Sequence, residues 1–494
     1  MKPNARIDAA GFADELARRL AKAPDPALDP SAVADLFRQA YGESAHASAL
    51  GRALRAAFFR RTVAHAAETA PFYRAPAYRA FLAEARPAEA AYPPLASLPL
   101  LTRADLQARP DEFLSSATST AWLSHTAGST GAPVTIARAR EEVAFQQHYF
   151  QRMMDEVADR LPVRPLSLTF PNAYHGVPTP LPSLGKVFVA GVTDDVLIDD
   201  AVRVLGEEYC FPGYEPRISI LSGLGFHIAF LTAYLLQRGL DPRSYEVRAI
   251  NVTGAHLPRA LHRFLEGAWG ARINDRFTLT EIVGGGTRQS PDEPFRVDPY
   301  CLAEAVDDEA RPVTDGVGLL VMSSLYPFSQ RQPVLRYATG DLIRVRAHDG
   351  LGVTAFDFLG KTRNCLSLRR EGRTLWVLHS ASLNDALTEH PDVRLYDWFS
   401  NVRKAADPSV GSQPLVRAAI EEREGTPPVV AVETELRYAP LCYPDRLRVL
   451  QASVQRALLR GNPELEALVA ADSLRLEIRF VGPGQLGDSV AFKV

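Results

Sequence analysis

The 494-residue chain has little lysine and no excess of charge of one sign. Its 55 basic and 58 acidic side chains give a formal net charge of −3. A nucleic-acid partner is not expected, because no broad basic field is available to displace phosphate counterions. Arginine does not replace the compact ammonium group of lysine where chemistry needs it. A catalytic lysine must therefore come from only six residues: Lys2, Lys22, Lys186, Lys361, Lys404 and Lys493.

The chain also has few cysteines and no long uninterrupted apolar run. Its four cysteines are far apart, with no Cys-x-x-Cys spacing, so neither structural zinc nor a disulfide framework is expected. The beginning of the sequence lacks the apolar core of a signal peptide. The most apolar stretch, residues 218–237, is interrupted at SGLG, which favours a strand over 218–221, a turn and a buried helix. We expect a cytoplasmic protein with no membrane partner.

The pattern of helix and strand signals predicts an α/β protein with more than one domain, since a single core stops growing near 250–300 residues. Residues 5–85 have helical spacing, and a proline-rich connector follows at 86–106. Strand and helix signals then alternate from about residue 120 to 360, as in a strand at 166–170 and a helix at 258–269. Such alternation is typical of largely parallel sheets.

The end of the chain has the pattern of a separate, smaller α+β module. Its clearest signals are a helix at residues 382–389 and a strand at 429–438. No internal repeat or low-complexity tract interrupts either part of the chain.

A segment rich in glycine and hydroxyl residues, SHTAGSTGAPV at 124–134, lies between the strand-like AWL and the β-branched VTI. The backbone N–H groups of such a loop can bind a phosphate. The segment lacks the closing Gly-Lys-Ser/Thr of a Walker A loop. Taken alone, it fits an ordinary turn somewhat better than a phosphate site.

Two further segments each contain one isolated carboxylate. INDRFTLTE, at residues 273–281, ends in Glu281 beside hydroxyl groups. A carboxylate there can bind Mg²⁺ through one ligand and leave the other positions to phosphate oxygens. LRYATGDL, at 335–342, has Asp341 directly after a turn glycine, where it can accept hydrogen bonds from a ribose diol. Each segment alone also fits a surface turn.

The order and spacing of these segments resemble the signature of the adenylate-forming superfamily of acyl- and aryl-coenzyme A ligases, peptide-synthetase adenylation domains and luciferases. The phosphate-loop pattern is matched at 126–133, Tyr-Gly-x-Thr-Glu by RFTLTE at 276–281, and Tyr-x-Thr-Gly-Asp at 337–341. HDG at 348–350 and FLGKTRN at 358–364 continue the likeness, which covers about residues 95–494.

Within the superfamily the sequence is most similar to the phenylacetate–coenzyme A ligase-like branch. The segments that carry this likeness are LPLLTRADLQARPDEF at 98–113, His125, and SASLNDALTEHPDV at 380–393.

The resemblance implies an α/β fold of two domains. An N-terminal domain of residues 1–362, with a mainly helical lead-in over 1–95, would bind ATP and the acid. A small mobile α+β lid would follow at 363–494. ATP, Mg²⁺ and coenzyme A would be the cofactors, a small carboxylic acid the substrate, and the protein a monomer or homodimer.

The resemblance also implies a role for individual residues. Those expected to contact the nucleotide are Ser129, Thr130 and Gly131 at the β- and γ-phosphates, Thr280 near the α-phosphate, Gly254, Ala255 and Phe277 at the adenine, and Asp341 at the ribose. Glu281 would bind Mg²⁺. Metal, backbone dipoles and a lysine would stabilise the charge that develops when a carboxylate attacks the α-phosphorus.

The sequence departs from the family pattern at its lysines and at its hinge. The lysine often found in or after the phosphate loop is missing, with Ala132 and Val134 in its place. The Gly-Arg-x-Asp hinge becomes GKTR at 360–363, without the acid. The family's catalytic lysine comes from near the C-terminus, where Lys493 is the candidate, although a solvated penultimate residue is equally consistent. Lys361 is the other plausible contributor, near the nucleotide.

The acid substrate is indicated by two segments that lie near the acyl pocket on the family plan, residues 171–185 and 222–227. His175, Gly225 and His227 are the candidate contacts, although a histidine in such a place is more often structural. The aromatic and small residues favour a small or aromatic carboxylate over a long acyl chain.

The sequence therefore predicts ATP-dependent activation of a carboxylic acid as an acyl-adenylate, with transfer to coenzyme A. Two alternatives remain open. The altered hinge suits an enzyme that passes the adenylate to an amine or a carrier protein. The missing lysine and hinge acid suit a non-catalytic homologue that binds adenylates.

Overall fold

The computed structural model describes residues 49–84, 95–126, 132–142, 164–170, 187–192, 194–396, 413–422 and 425–486. The helices in this part are α1 (Ala49–Thr69), α2 (Pro76–Glu84), α3 (Arg103–Ala108), α4 (Asp195–Gly206), α5 (Gly225–Gln237), α6 (Arg259–Trp269), α7 (Ser380–Thr388), α8 (Pro444–Gly461) and α9 (Pro463–Ala470).

The strands are β1 (Trp122–His125), β2 (Thr135–Arg138), β3 (Arg164–Phe170), β4 (Val187–Val189), β5 (Tyr214–Gly223), β6 (Ala249–Thr253), β7 (Arg272–Thr278), β8 (Gly285–Arg288), β9 (Phe295–Val297), β10 (Cys301–Val306), β11 (Gly316–Ser324), β12 (Tyr337–His348), β13 (Val353–Lys361), β14 (Leu366–Arg370), β15 (Arg373–Leu378), β16 (Leu395–Tyr396), β17 (Gln413–Pro414), β18 (Val416–Glu421), β19 (Val429–Glu435) and β20 (Arg475–Val481).

An 11-stranded sheet, in the order β10-β11-β12-β13-β9-β8-β7-β6-β5-β3-β4, organises the larger part of the molecule. Strands β4, β3, β5, β6 and β7 are parallel, as the α/β pattern predicts. Their apolar residues pack with α4, α5 and α6 into one core. Apolar runs such as LSLTF suit this place, because a parallel strand covered by helices is buried on both faces.

From β7 onward the sheet is antiparallel, a feature that the sequence pattern does not predict. Strands β7, β8, β9 and β13 pair in turn, and β10, β11 and β12 continue the antiparallel order. Ala303 of β10 also pairs with Val353 of β13, so strands β10, β11, β12 and β13 close into a small barrel. The barrel shares a core with the helical lead-in, represented by Phe58, Phe59 and Val63 of α1.

The helices that follow β5 and β6 are close to those expected from the sequence. Strand β5 and helix α5 account for the apolar stretch at 218–237, and α5 is almost entirely buried. Helix α6 follows Pro258 and ends at Gly270, whose φ of +63° is a left-handed conformation that favours glycine. Within the described part of the chain, no helix is both long and apolar enough to cross a membrane.

The last elements form a smaller α+β unit with its own core. Strand β19 pairs with β18 antiparallel and with β20 parallel, and helices α7, α8 and α9 pack on this sheet. The expected helix at 382–389 begins earlier, at Ser380, and the expected strand at 429–438 ends at Glu435. The four cysteines are free.

Candidate active site

The carboxyl ends of two neighbouring parallel strands bring several of the expected nucleotide residues together. Strands β6 and β7 are paired in register, and Thr253 Oγ1 lies 2.9 Å from Thr278 Oγ1 where both strands end. Gly254 and Ala255 directly follow β6, and Thr280 and Glu281 follow β7. Loops at this edge of a parallel sheet are the usual place for ligands.

Glu281 is held in place by a residue of the LRYATGDL segment at 335–342. The hydroxyl of Tyr337, the first residue of β12, donates a 2.9 Å hydrogen bond to Glu281 Oε1. Burial and the negative charge of Glu281 raise the pKa of Tyr337 well above its usual range. The phenol therefore stays a neutral donor, and the second carboxylate oxygen of Glu281 has no hydrogen-bond partner in the part of the chain that the structure describes.

Arg138 of β2 also contacts this turn, and the sequence did not single it out. Its guanidinium Nη2 donates a 2.9 Å hydrogen bond to the carbonyl oxygen of Thr280. Arg138 and Thr280 are 142 positions apart, so no local spacing indicates the contact. The available signal in the sequence was an arginine directly after apolar residues in the strand segment TIAR, a position that proves to be buried.

The glycine-rich segment connects the antiparallel strands β1 and β2, which confirms the strand signals on its two sides. Thr126 N–H donates to Val134 O, and Val134 N–H donates to Thr126 Oγ1, both at 3.0 Å. Arg103 of α3 donates from Nη2 to Thr126 Oγ1 at 3.2 Å and to Ala132 O at 2.9 Å. The two sides of the loop are therefore fixed. Ser129, Thr130 and Gly131 lie outside the described residues, and their phosphate contacts stay a prediction.

Asp341 lies on the other side of the site, opposite a lysine. Asp341 of β12 and Lys361 of β13 are paired in register, and Lys361 Nζ lies 2.6 Å from Asp341 Oδ1. The Asp341 side chain is fully buried, whereas 35% of the Lys361 side chain is exposed. Lys361 is the one lysine within the described residues. Its ammonium group therefore covers the carboxylate that is expected to bind the ribose.

The backbone beside this ion pair requires glycine at position 360. Gly360 has a φ of +122°, and a Cβ there would lie 1.8 Å from Ser380 Oγ at the start of α7. The smaller α+β unit thus packs directly against the end of β13.

Phe277, the expected adenine contact, belongs to an aromatic cluster at the end of β7. Its ring centroid lies 5.4 Å from that of Phe356 and 5.6 Å from that of Phe358, both in β13. The ring is half-buried, so one part of it is fixed by these neighbours and another part is accessible.

Two of the residues expected to contact the substrates, Gly225 and Ala255, line one pocket. Its other lining residues are Phe226, His256, Pro258, Leu261, Asn384 and Gln413. A Cβ on Gly225 would lie 2.7 Å from Leu257 Cδ1, so a larger residue there would displace the Leu257 side chain in the loop after β6. His227 is buried in α5 beside Phe226 and is not among these lining residues. His175 lies outside the described residues.

Charged contacts join the pocket to the smaller α+β unit. His256 Nε2 lies 3.1 Å from Asp385 Oδ1, which also accepts the backbone N–H of Arg259 at 3.1 Å. Burial opposes the ionisation of Asp385, but His256 and Arg259 outweigh it and hold the pKa of this carboxyl below its ordinary value. Arg263 donates to Glu389 Oε1 at 2.6 Å on the next turn of α6.

Among the described residues, no group of three or more histidine, cysteine, aspartate or glutamate side chains is arranged to hold a metal ion. Glu281 is instead a single carboxylate with one oxygen committed to Tyr337. Such a site fits Mg²⁺ only when phosphate oxygens and water supply the remaining ligands. Lys493, the expected catalytic lysine, lies outside the described residues.

Comparison with solved structures finds the same fold in acyl-coenzyme A ligases. A 2-hydroxyisobutyryl-CoA ligase in the postadenylation state with R3-HIB-AMP is 15% identical, with a TM-score of 0.58 over 88% of this chain and 86% of that one. An open conformation of 2-hydroxyisobutyryl-CoA ligase with 2-HIB-AMP and CoA is 14% identical, with a TM-score of 0.56 over 88% and 89%. No protein-family model and no curated protein matches the sequence. At these identities the similarity establishes the fold.

Proposed function

We propose that this protein uses ATP and Mg²⁺ to activate a carboxylic acid as an acyl-adenylate, releases pyrophosphate, and passes the acyl group to coenzyme A. One observation carries the proposal. The Glu281 turn, the Tyr337–Asp341 strand, the Gly254–Ala255 turn and the fixed sides of the phosphate-loop segment surround one edge of the sheet. The shared fold with acyl-coenzyme A ligases supports it.

The reaction assigns a separate task to each part of this edge. A carboxylate oxygen of the acid attacks the α-phosphorus of ATP, the bond to the bridging oxygen breaks, and pyrophosphate leaves with the electron pair. Backbone N–H groups of residues 127–131 and a lysine would stabilise the developing phosphate charge. Lys493 takes this lysine role in the proposal. Asp341 and Lys361 would hold the ribose, and Phe277 with Gly254 and Ala255 the adenine.

Mg²⁺ fits the turn after β7 because one carboxylate oxygen of Glu281 has no hydrogen-bond partner among the described residues. When bound, the ion would neutralise negative charge on the phosphates. This matters here because the sequence lacks the phosphate-loop lysine that often carries positive charge in the adenylate-forming superfamily. Tyr337 would orient the carboxylate that holds the ion.

For the acid, we propose a compact, aromatic carboxylate, as in the phenylacetate–coenzyme A ligase-like branch. Phe226 and Leu261 give the pocket beside Gly225 part of an apolar lining, next to the polar residues His256, Asn384 and Gln413. Pro258 also lines it. The histidine contacts remain part of this proposal for His175 and His227.

Pyrophosphate release with a panel of aryl, small aliphatic and long-chain acids tests the function. We expect release with at least one compact acid, dependent on Mg²⁺ and on Glu281. The matched control is Glu433→Gln, which replaces a carboxylate in β19 of the smaller unit. The proposal fails if no acid supports release and ATP does not bind.

A second candidate is an enzyme that makes the same adenylate but transfers the acyl group to an amine or a carrier protein. The hinge favours it, because the usual acid is absent and Lys361 is paired with Asp341 across the strands that lead to the smaller unit. Thioester formation with free coenzyme A at the rate of pyrophosphate release would exclude it.

A third candidate is a non-catalytic homologue that binds adenylates. Lys361 is paired with the buried carboxylate of Asp341, so Lys493 would have to supply the positive charge at the α-phosphate. If Lys493 does not, the protein lacks a catalytic lysine. This candidate predicts that the wild type and Lys493→Ala bind ATP equally well and that neither releases pyrophosphate.

A further inference from the structure

Arg138 and Glu142 form a buried charged pair beside the proposed nucleotide site. Only 6% of the Arg138 side chain and none of the Glu142 side chain is exposed, and Arg138 Nη1 lies 3.6 Å from Glu142 Oε2. Burial lowers the pKa of Arg138 and raises that of Glu142, and their mutual attraction opposes both effects. Placing two charges in the interior costs free energy, which is tolerated where the pair also makes specific hydrogen bonds.

Each member of the pair holds a different segment of backbone. Arg138 donates to the carbonyl oxygen of Thr280 at 2.9 Å and to Ser329 Oγ at 3.3 Å. Glu142 Oε1 accepts the backbone N–H groups of Gln330 and Arg331. The pair therefore joins the strand after the phosphate-loop segment, the turn that contains Glu281, and the loop before β12.

The Glu281 turn is held from two sides by these contacts. Arg138 fixes the backbone just before Glu281, and Tyr337 fixes the Glu281 side chain. The positive charge of Arg138 also lies near enough to the carboxylate of Glu281 for the two to attract. A shift of this turn would move the carboxylate relative to the phosphates, and metal affinity is sensitive to such supporting contacts.

We infer that Arg138, supported by Glu142, is a positioning residue that sets the place of Glu281 and thereby the Mg²⁺ requirement of nucleotide binding. The inference rests on the proposed function for its Mg²⁺ component. The positioning itself is a property of the turn and is measurable without nucleotide.

The test uses the full-length protein and a non-hydrolysable ATP analogue, with binding measured calorimetrically over a series of Mg²⁺ concentrations. Arg138→Gln removes the charge and shortens the reach, and it should raise the Mg²⁺ concentration for half-maximal binding by about tenfold or more. Arg138→Lys keeps the charge and one donor but lacks the planar fork, so a smaller rise is expected. Amide hydrogen exchange over residues 277–284 without nucleotide should accelerate in Arg138→Gln.

Arg55→Gln is the matched control, because Arg55 of α1 forms a buried ion pair with Asp349 on the barrel and touches neither Thr280 nor Glu281. It should lower the melting temperature without changing the Mg²⁺ requirement. The inference is overturned if exchange over 277–284 is unchanged in Arg138→Gln, or if Arg55→Gln shifts the Mg²⁺ requirement equally. If the wild type does not bind the Mg²⁺–nucleotide at all, the proposed function fails, and the exchange measurement still decides the positioning.

Discussion

The two carboxylates of the proposed nucleotide site, Glu281 and Asp341, are held in opposite ways. Glu281 accepts a hydrogen bond from the neutral hydroxyl of Tyr337, and among the described residues it forms no ion pair. Asp341 is fully buried and faces the ammonium group of Lys361 at 2.6 Å. Glu281 is attracted by Arg138 without a direct ion-pair contact between them, whereas Asp341 faces an ammonium group directly.

In the proposed function, this difference separates a metal side of the site, at Glu281, from a ribose side, at Asp341. A carboxylate oriented by a neutral donor attracts Mg²⁺ more strongly than one already paired with a cation. A buried carboxylate beside an ammonium group instead offers a hydrogen-bonding pair that suits the hydroxyls of a sugar. Substitutions on the two sides should therefore change different kinetic constants.

On the metal side, Glu281→Gln should give the largest effect. The amide keeps an acceptor for Tyr337 but loses the charge for Mg²⁺, so acid-dependent pyrophosphate release should fall by roughly 100-fold or more. Initial rates over a range of Mg²⁺ concentrations measure this. Rates within twofold of wild type would show that Glu281 does not bind the Mg²⁺ ion.

Lys493→Ala tests the catalytic role proposed for Lys493. The proposal gives Lys493 the ammonium group that stabilises the attacked phosphate, so its loss should lower adenylation by about 100-fold, with ATP binding largely kept. Lys404→Ala is the control, since it removes another of the six lysines. Equal activity of Lys493→Ala and wild type would show that Lys493 is an ordinary solvated residue without a catalytic role.

On the ribose side, His379 lies directly before α7 and close to the hinge. We expect its protonation to make the stability of the protein depend on pH. Burial lowers the pKa of His379 from 6.5 to about 4, with Glu464 opposing and Arg344 adding to the effect. The native state therefore binds fewer protons than the unfolded chain between these values. Its free energy of unfolding should fall by roughly 3 kcal/mol as the pH drops from above 6.5 to 4.

Urea denaturation of wild type and His379→Gln over pH 4–8 measures this loss. The glutamine variant does not titrate, so its stability should decline less steeply with acid. His125→Gln, which changes an exposed histidine, should decline as steeply as wild type. Parallel curves for wild type and His379→Gln would contradict the assignment.

Lys361→Ala should produce the smallest change and confine it to the ribose side. Without the ammonium group one charge-assisted contact is lost, and KM for ATP should rise about tenfold. The Mg²⁺ concentration for half-maximal rate should stay as in wild type. A shifted Mg²⁺ requirement would show that the two sides are not separate.

The sequence predicts those parts of the fold whose signals are local. Pro258 and Gly270 mark the ends of α6 because a proline before the first turn and a left-handed glycine after the last one act within a few residues. The strand at 166–170 is recognisable from its continuous apolar run, and the structure extends it to Arg164. The antiparallel barrel is not predictable in this way, because closing β10 on β13 depends on pairing across 50 residues.

The candidate site divides along the same line. Glu281 and Asp341 are recognisable within short motifs, but the partners that distinguish them are not. Tyr337 reaches Glu281 across 56 positions, and Arg138 reaches Thr280 across 142. The contact of Lys361 with Asp341 follows from the register of β12 and β13, which only the folded sheet defines.

The most direct test of the central claim is the fate of a labelled oxygen. A compact aromatic acid labelled with ¹⁸O in its carboxylate is incubated with ATP, Mg²⁺, coenzyme A and the protein, and the nucleotide product is examined by mass spectrometry. An acyl-adenylate requires the carboxylate oxygen to remain on phosphorus after transfer, so AMP should carry one ¹⁸O, and Glu281→Gln should lower the amount of labelled AMP by roughly 100-fold or more. Label in inorganic phosphate with ADP as the product, or unlabelled AMP from an acid that is turned over, would contradict the account.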